Sequence, residues 1–390
     1  MKIGKLVQDG TISIKTGPFG TQLKSADYRE AGTPVLNVKN LGYGSLSSAK
    51  LDHVGTDTVK RLKIHLLKEG DIVFGRKGAV DRHAYIDYES AGYLQGSDCI
   101  RMRVEADTIN PRFLSYYFLT HQHKAFMISM CSHGTTMASL NQRILEQIDF
   151  PLPGKSYQDK VVSILETFDA KIKVNQKINE NLLQQAGAVF NKFYEESPNQ
   201  QPFTSLISVL GGGTPKTGNP DFWNGLIPFF TPKDVGTPYT FQTEKYITES
   251  GLTHCNSRLY QKDTTFVTAR GTVGKVSLAG TPMAMNQSCY ALVSETVDPL
   301  LVYFYVLKAV ASLKHKASGA VFDAIVTRDF DSETINILSD DDSKMVLSII
   351  KPMMDSIHNN SQENMRLAAL RDSLLPKLMS GELDVSTLDL

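Results

Sequence analysis

Four groupings of side chains in this 390-residue sequence have types that chemistry requires. Gly211-Gly212-Gly213-Thr214-Pro215-Lys216-Thr217-Gly218 is rich enough in glycine to cradle a phosphate. A nucleotide loop, however, needs Gly-Lys-Ser/Thr, and here Pro215 precedes Lys216. Asn110-Pro111-Arg112-Phe113 echoes the Asn-Pro-Pro-aromatic motif of adenine methyltransferases without its second proline, and no glycine-rich cofactor loop follows an early strand. An asparagine cap with proline at the first helical position is the better reading. Asp169-Ala170-Lys171 and Asp342-Ser343-Lys344 resemble the end of a nuclease carboxylate–lysine motif. Both lie in helical segments with no acidic partner on a preceding strand, which makes them solvated faces. His121, His123, Cys131 and His133 could ligate a metal, but their spacing matches no standard zinc pattern. No Ser-His-Asp or Cys-His arrangement can be assigned, so no catalytic residue is named.

A different chemistry is better represented. Arg and Lys neutralise phosphates, while Arg, Asn, Gln, Ser and Thr read base edges, and glycine lets backbone N–H groups approach an anion. The first half places Arg76, Lys77, Arg82 and His83 on or after a glycine turn, and Thr135 and Thr136 in the polar loop Ser132-His133-Gly134-Thr135-Thr136. The second half offers Thr214, Lys216 and Thr217, then Lys233, Arg270, Lys275, Lys314 and Lys316. These are the candidate DNA-binding residues. The net charge is zero, yet residues 1–150 hold 19 Lys+Arg against 15 Asp+Glu, and residues 339–390 hold 5 against 9. The acidic excess sits in the last segment and leaves the basic residues free to form local patches.

The elements that carry these turns occur twice. Leu67-Lys68-Glu69-Gly70-Asp71-Ile72-Val73-Phe74-Gly75-Arg76-Lys77-Gly78-Ala79-Val80 has a counterpart in residues 260–273, Tyr260 through Ala269-Arg270-Gly271-Thr272-Val273. Both read as strand, basic glycine turn, strand. Residues 32–42 parallel 225–236, and Asn110-Pro111 parallels Asp298-Pro299 as a capped helix start. Each half closes on a helix with a heptad seam: Val161, Leu165, Phe168, Ile172, Asn175, Asn179, Leu182, Ala186, Val189 and Phe193 in the first. In the second the seam is Val346, Ile350, Met353, Ile357, Asn360, Asn364, Leu367, Arg371 or Leu370, Leu374 and Leu378. Asn175 and Asn179 lie 185 residues before Asn360 and Asn364. Polar residues in a seam fix register, so the two helices are expected to pack antiparallel with the four asparagines meeting. Pro352 is expected to kink the second helix or delay its start.

The organisation is therefore α+β: a globular domain over 1–153, a central helix over 154–196, a second globular domain over 197–338, and a distal helix with a tail over 339–390. Glu195-Glu196-Ser197-Pro198-Asn199-Gln200-Gln201-Pro202 reads as the linker between the halves. Two related but different modules on facing helices form a pseudo-twofold object suited to a two-part duplex target. The first seam spans about 50 Å at ~1.5 Å per residue, roughly one and a half turns of B-DNA.

The full chain resembles the specificity subunit of type I restriction–modification systems. Leu140-Asn141-Gln142-Arg143-Ile144-Leu145-Glu146-Gln147-Ile148-Asp149-Phe150-Pro151-Leu152-Pro153 resembles that family's segment closing a target recognition domain. Gln158-Asp159-Lys160-Val161-Val162-Ser163-Ile164-Leu165 resembles the start of its central helix, and Ala269-Arg270-Gly271-Thr272-Val273-Gly274-Lys275-Val276 a recognition-domain loop. Leu374-Leu375-Pro376-Lys377-Leu378-Met379-Ser380-Gly381-Glu382-Leu383-Asp384-Val385 resembles its C-terminus. The loop at Gly75–Asp81 departs from the cleaner second copy, and Ile335-Asn336-Ile337-Leu338-Ser339 lacks the Pro-Leu-Pro. The resemblance implies a non-catalytic chain that binds double-stranded DNA at an asymmetric bipartite target. It further implies two modification subunits as partners, with S-adenosylmethionine, and restriction subunits with ATP and Mg, leaving no cofactor in this chain. The residues alone leave open a self-contained methyltransferase or nuclease, or a scaffold that never meets DNA. Four scattered cysteines, no apolar run long enough for a membrane span and no secretory leader suggest a cytoplasmic protein.

Overall fold

In the computed structural model, residues 1–47, 49–131, 138–316 and 324–386 are described. The chain divides into two compact units, one of Met1–Ala170 with Leu367–Leu390 and the other of Lys171–Arg366. Both divisions fall inside the long helices Lys155–Glu196 and Asp340–Ser380.

The first unit is built on a four-stranded sheet in the order Ile12–Thr16, Cys99–Val104, Ile72–Gly75, His83–Tyr85, antiparallel throughout. Side chains alternate across a strand, so Ile72, Phe74, Ile100 and Met102 share one face. They pack with Phe113, Leu114, Tyr117, Leu145, Val161, Leu165, Leu375 and Leu378 in the main core. Val73, Ala84 and Cys99 point the other way, onto Leu36, Leu41 and Leu67 beside a second, smaller sheet. That sheet runs Tyr28–Arg29, Asp52–Val54, Thr33–Leu36, Leu94–Gln95, its last pair parallel. Asn110 caps the helix Pro111–Tyr117, accepting from the amides of Arg112 and Phe113 at 2.9 and 3.4 Å.

The second unit repeats this plan. Its main sheet runs Ser208–Gly211, Cys289–Val293, Thr265–Thr268, Val276–Ala279, the same antiparallel order, with Tyr239–Thr240 added parallel at the edge. Its smaller sheet joins Trp223–Phe230 antiparallel to Lys245–Ile247 and parallel to Ala284–Met285. Asp298 caps the helix Pro299–Lys316, accepting from the Leu300 amide at 2.9 Å. The duplication legible in the sequence is thus a duplication of topology.

Each module is closed by its own first residues. The α-amino group of Met1 meets the Asp149 carboxylate at 2.6 Å and donates to the Phe150 carbonyl at 2.8 Å. In the second unit Gln200–Pro202 pairs antiparallel with Thr334–Asn336. The end of the expected linker is therefore a strand, and the closing segment without Pro-Leu-Pro pairs as its partner.

Within each unit the segments of the two long helices run antiparallel. In the first, the Tyr157 hydroxyl donates to the Leu378 carbonyl at 3.0 Å and Asp169 pairs with Arg371 at 2.6 Å, so rising numbers on one helix meet falling numbers on the other. In the second, Asn175 donates to Asn364 and Asn360 to Asn179, both at 2.9 Å, while Ala186 and Phe190 share a core with Val346 and Ile350. The four asparagines meet as the sequence implied. At the ambiguous heptad position Arg371 takes the seam, and Leu370 is 48% exposed. Two expectations are corrected. Asp169 is not a solvated face: it accepts from Tyr116 at 2.6 Å and pairs with Arg112 and Arg371, because a seam arginine requires a carboxylate. Pro352 does not delay the distal helix, which begins at Asp340. Pro352 is exposed, where water can satisfy the carbonyl its ring leaves unbonded.

Candidate nucleic-acid interface

Antiparallel pairing gathers strand ends. In the second unit Thr265–Thr268 and Ser208–Gly211 end where Val276–Ala279 and Cys289–Val293 begin, so their connecting turns crowd one end of the sheet. Hydrogen bonds tie these turns together. The Thr272 hydroxyl donates to the Pro232 carbonyl at 3.2 Å, the Gly213 amide to Met285 at 3.2 Å, and Ala269 to Ser288 at 2.8 Å. Gly271 and Gly274 have φ of +83° and +70°, which explains glycine at both positions of the Arg270–Lys275 turn. Gly212 has no room for a side chain: a Cβ there would lie 2.2 Å from the Asn286 carbonyl.

The first unit is arranged alike. Gly17 donates to Cys99 at 2.9 Å, Arg76 to Asp98 at 2.8 Å and Gly96 to Leu36 at 3.0 Å, drawing the turns after residues 16, 36, 75 and 95 together. A Cβ on Gly17 would lie 2.0 Å from the Gly96 carbonyl, the counterpart of the Gly212 contact. The basic turn is also laced to a following segment in each unit: Lys77 bridges Ser139, and Arg270 bridges Ala324.

The candidates separate into classes. Lys77, Arg82, Lys216, Thr217, Arg270 and Lys275 are exposed, and Arg76 is half-buried on its turn. Lys233 is exposed in a 3.5 Å pair with Glu244, a surface contact weak enough to exchange for a phosphate. The Thr214 hydroxyl is turned onto the Gln287 amide oxygen. Lys314 donates to the Gly274 carbonyl at 2.6 Å, so it holds the turn in place. Thr135 and Thr136 lie outside the described residues, as does His133 of the considered metal group. Among the described residues no three His, Cys, Asp or Glu side chains group as a metal site.

Two candidates are corrected. His83 is 1% exposed, its Nε2 3.0 Å from the Ser115 hydroxyl and its ring packed on Phe74 and Phe118. Burial pushes its pKa down to about 3, with His123 and Arg112 adding to the effect, so it is a neutral core side chain. The strand it opens is covered on both faces, with neighbouring Ala84 0% exposed, which the turn motif alone did not reveal. Lys316 is engaged at 2.6 Å by Glu333, a carboxylate 2% exposed, and serves that buried charge.

The sequence reading missed a cluster in the first unit. Tyr43, 47% exposed, carries the Lys124 ammonium 4.4 Å and the Arg82 guanidinium 5.6 Å from its ring centroid. Its hydroxyl donates to Asp81 at 2.9 Å. Phe19 on the Gly17 turn is 63% exposed. The available signal was the repeat itself: the Gly17 turn occupies the place of the Gly212 turn.

The description "Type I restriction modification DNA specificity domain" matches residues 15–184 and again 203–368, most of the chain and once per module. The chain belongs to this family. Among relatives, the specificity subunit of the type I restriction enzyme HindI from Haemophilus influenzae is 21% identical, covering 89% of this chain and 94% of that one. The MjaIX specificity subunit from Methanocaldococcus jannaschii is 28% identical over 162 residues, 40% of this chain and 38% of its own. A solved structure of the type I S subunit from M. genitalium superposes with a TM-score of 0.56 at 14% identity, covering 95% of this chain and 94% of that one, and so shares the fold. This specificity chain is therefore a duplicated α+β protein with paired long helices. No helix among its described residues is long and apolar enough to cross a membrane.

Proposed function

We propose that this chain is the sequence-reading subunit of a type I restriction–modification enzyme, with no catalytic site of its own. It binds double-stranded DNA at an asymmetric bipartite target, one part per module. The observation that carries the reading is the repeated gathering of glycine turns with exposed basic side chains at one end of each main sheet. Glycines admit the sugar–phosphate backbone, Arg and Lys neutralise it, and the differing side chains of the two modules make the half-sites differ. Two modification subunits, with S-adenosylmethionine, and restriction subunits, with ATP and Mg, complete the enzyme. Localisation is cytoplasmic, with the DNA.

The test has two arms. The full chain shifts a random-sequence duplex at low salt and loses it steeply as salt rises. Methylome sequencing of cells carrying the complex shows a two-part adenine-methylated motif. Methylation by the isolated chain overturns the assignment in favour of an enzyme, and absence of any duplex binding overturns it in favour of a scaffold.

A further inference from the structure

The two modules differ at one buried place where their topology agrees. In the first, Lys15 pairs in register with Arg101, which pairs with Val73, while Gln95 pairs with Leu36 in the smaller sheet. In the second, the corresponding pairings join Leu210 with Ala291, Ala291 with Phe266, and Met285 with Phe230. The second module fills this space with apolar side chains, as Phe230, Phe266, Met285 and Ala291 share one core with Leu210 packed against it. The first fills it with Lys15, Gln95 and Arg101. The fold therefore does not require a cation here.

Arg101 is 6% exposed, and its Nε has no hydrogen-bond partner within the protein. Its Nη1 reaches the Ile64 carbonyl only at 3.4 Å. The neighbouring carboxylate, Asp71, is engaged on both oxygens by Arg103 at 2.6 Å. His65, 4% exposed beside Ile64, faces Lys15 and Arg101, and its burial lowers its pKa, so it adds no charge at neutral pH. Gln95 is committed through its amide nitrogen to the carbonyls of Lys15 at 2.9 Å and Cys99 at 3.1 Å. Three cations, Lys15, Arg101 and Arg103, thus lie near two carboxylates: Asp71 is taken by Arg103, and Glu105, which also acts on Arg101 electrostatically, accepts from the Ser13 hydroxyl at 2.7 Å, so neither is hydrogen-bonded to Arg101. A buried guanidinium without an anion is costly, and an apolar replacement of similar volume is usually better tolerated. Lys15 is half-exposed and is the penultimate residue of its strand, immediately before the Gly17 turn at the gathered end of the sheet.

We propose that Lys15 and Arg101 hold one phosphate of the DNA backbone, an anion site that the first module has and the second lacks. The proposal rests on the DNA-reading function above. Lys15 supplies the accessible ammonium. Arg101, from beneath, supplies a fixed charge in a region that excludes water, where an electrostatic attraction is screened less. One module then grips the duplex at a point where its twin does not, which orients an otherwise pseudo-symmetric protein on an asymmetric site.

The experiment uses the full chain with Arg101→Leu, which copies the apolar character of the twin module, and Lys15→Gln as a surface variant that leaves the core intact. Affinity for a random-sequence duplex is measured across a salt series, and the thermal midpoint is measured with and without inorganic phosphate. Arg101→Leu should keep or raise the midpoint without phosphate. Each variant should bind the duplex about tenfold more weakly, with the salt dependence reduced by roughly one unit. Phosphate should stabilise the wild type more than either variant. Unchanged duplex affinity and salt slope in both folded variants overturns the proposal. A wild type that ignores duplex but responds to phosphate through Arg101 overturns the DNA reading and leaves the anion site standing.

Discussion

The amide nitrogen of Asn360 donates to the side-chain oxygen of Asn179 at 2.9 Å, and Asn175 donates to Asn364 at the same distance, so two asparagine pairs sit in successive layers of one helix seam. Asn175 also donates to Glu363 at 2.7 Å, and Asn179 to Ser361 at 3.3 Å, which leaves few of these polar atoms unpaired. A seam built this way exchanges some apolar burial for a single permitted alignment.

Breaking and replacing the pair should therefore differ in sign. Asn360→Leu alone strands the Asn179 oxygen and should lower stability by roughly 1–3 kcal/mol. Asn179→Leu with Asn360→Leu should recover that loss or exceed the wild type. Urea unfolding reads both, and a double variant as unstable as the sum of its singles would show that the pair has no register role.

Arg270 and Lys275 flank a turn whose glycines need positive φ, and both are exposed without an ion pair to any described residue. Alanine at a phosphate contact should weaken binding to all duplexes and lower the salt slope by about one unit. At a base contact it should relax one target position at ~1–3 kcal/mol. Salt-dependent binding, together with methylome sequencing of each variant, separates the two. Intact affinity, slope and motif in both variants would remove this turn from the interface.

Stability should fall with acid through two core histidines. His83 and His123 are each pushed down to about 3, mainly because burial excludes water from the ring. Unfolded histidines titrate near 6.5. Above that value neither state is protonated. Between about 6.5 and 3 the unfolded chain binds protons that the folded chain refuses, so stability is lost as pH falls, by up to ~1.4 kcal/mol per unit for each histidine. His123 packs against Tyr117 and Phe118. His123→Phe should reduce the pH slope of urea unfolding by one proton, and an unchanged slope would contradict the assignment.

The proposed bipartite reading makes helix length a determinant of target spacing. A seven-residue insertion between Asn179 and Leu182, matched by seven residues near Asn364, keeps the heptad phase and adds ~10.5 Å of helix. The methylated motif should then gain about 3 unread base pairs at ~3.4 Å of rise each, modified by rotation about the duplex. An active variant with its original spacing would show that the helices hold subunits without measuring DNA. Lengthening one helix alone should mainly destabilise the chain.

The sequence by itself determined the features that recur at fixed separations. The run at Ile72–Gly75 and its counterpart at Thr265–Thr268, the capped helices after Asn110 and Asp298, and the asparagines of the two seams were all legible because local propensity and periodicity encode them. Tertiary structure decided which of several adjacent polar residues face solvent. His83 follows Arg82 by one residue, yet Arg82 stays on the exposed turn while His83 opens a strand whose first two residues are both buried. Lys314 and Lys316 are equally basic in sequence, but Gly274 and Glu333, distant along the chain, claim them. Tyr43 and Lys124 meet only because the fold brings a loop and the helix His121–Cys131, far apart in sequence, together. Arg101 reads as an ordinary strand residue until strand register places it beside Lys15 and opposite the apolar precedent of Ala291. Register is a long-range property set by which strands pair, and a single chain read residue by residue does not contain it.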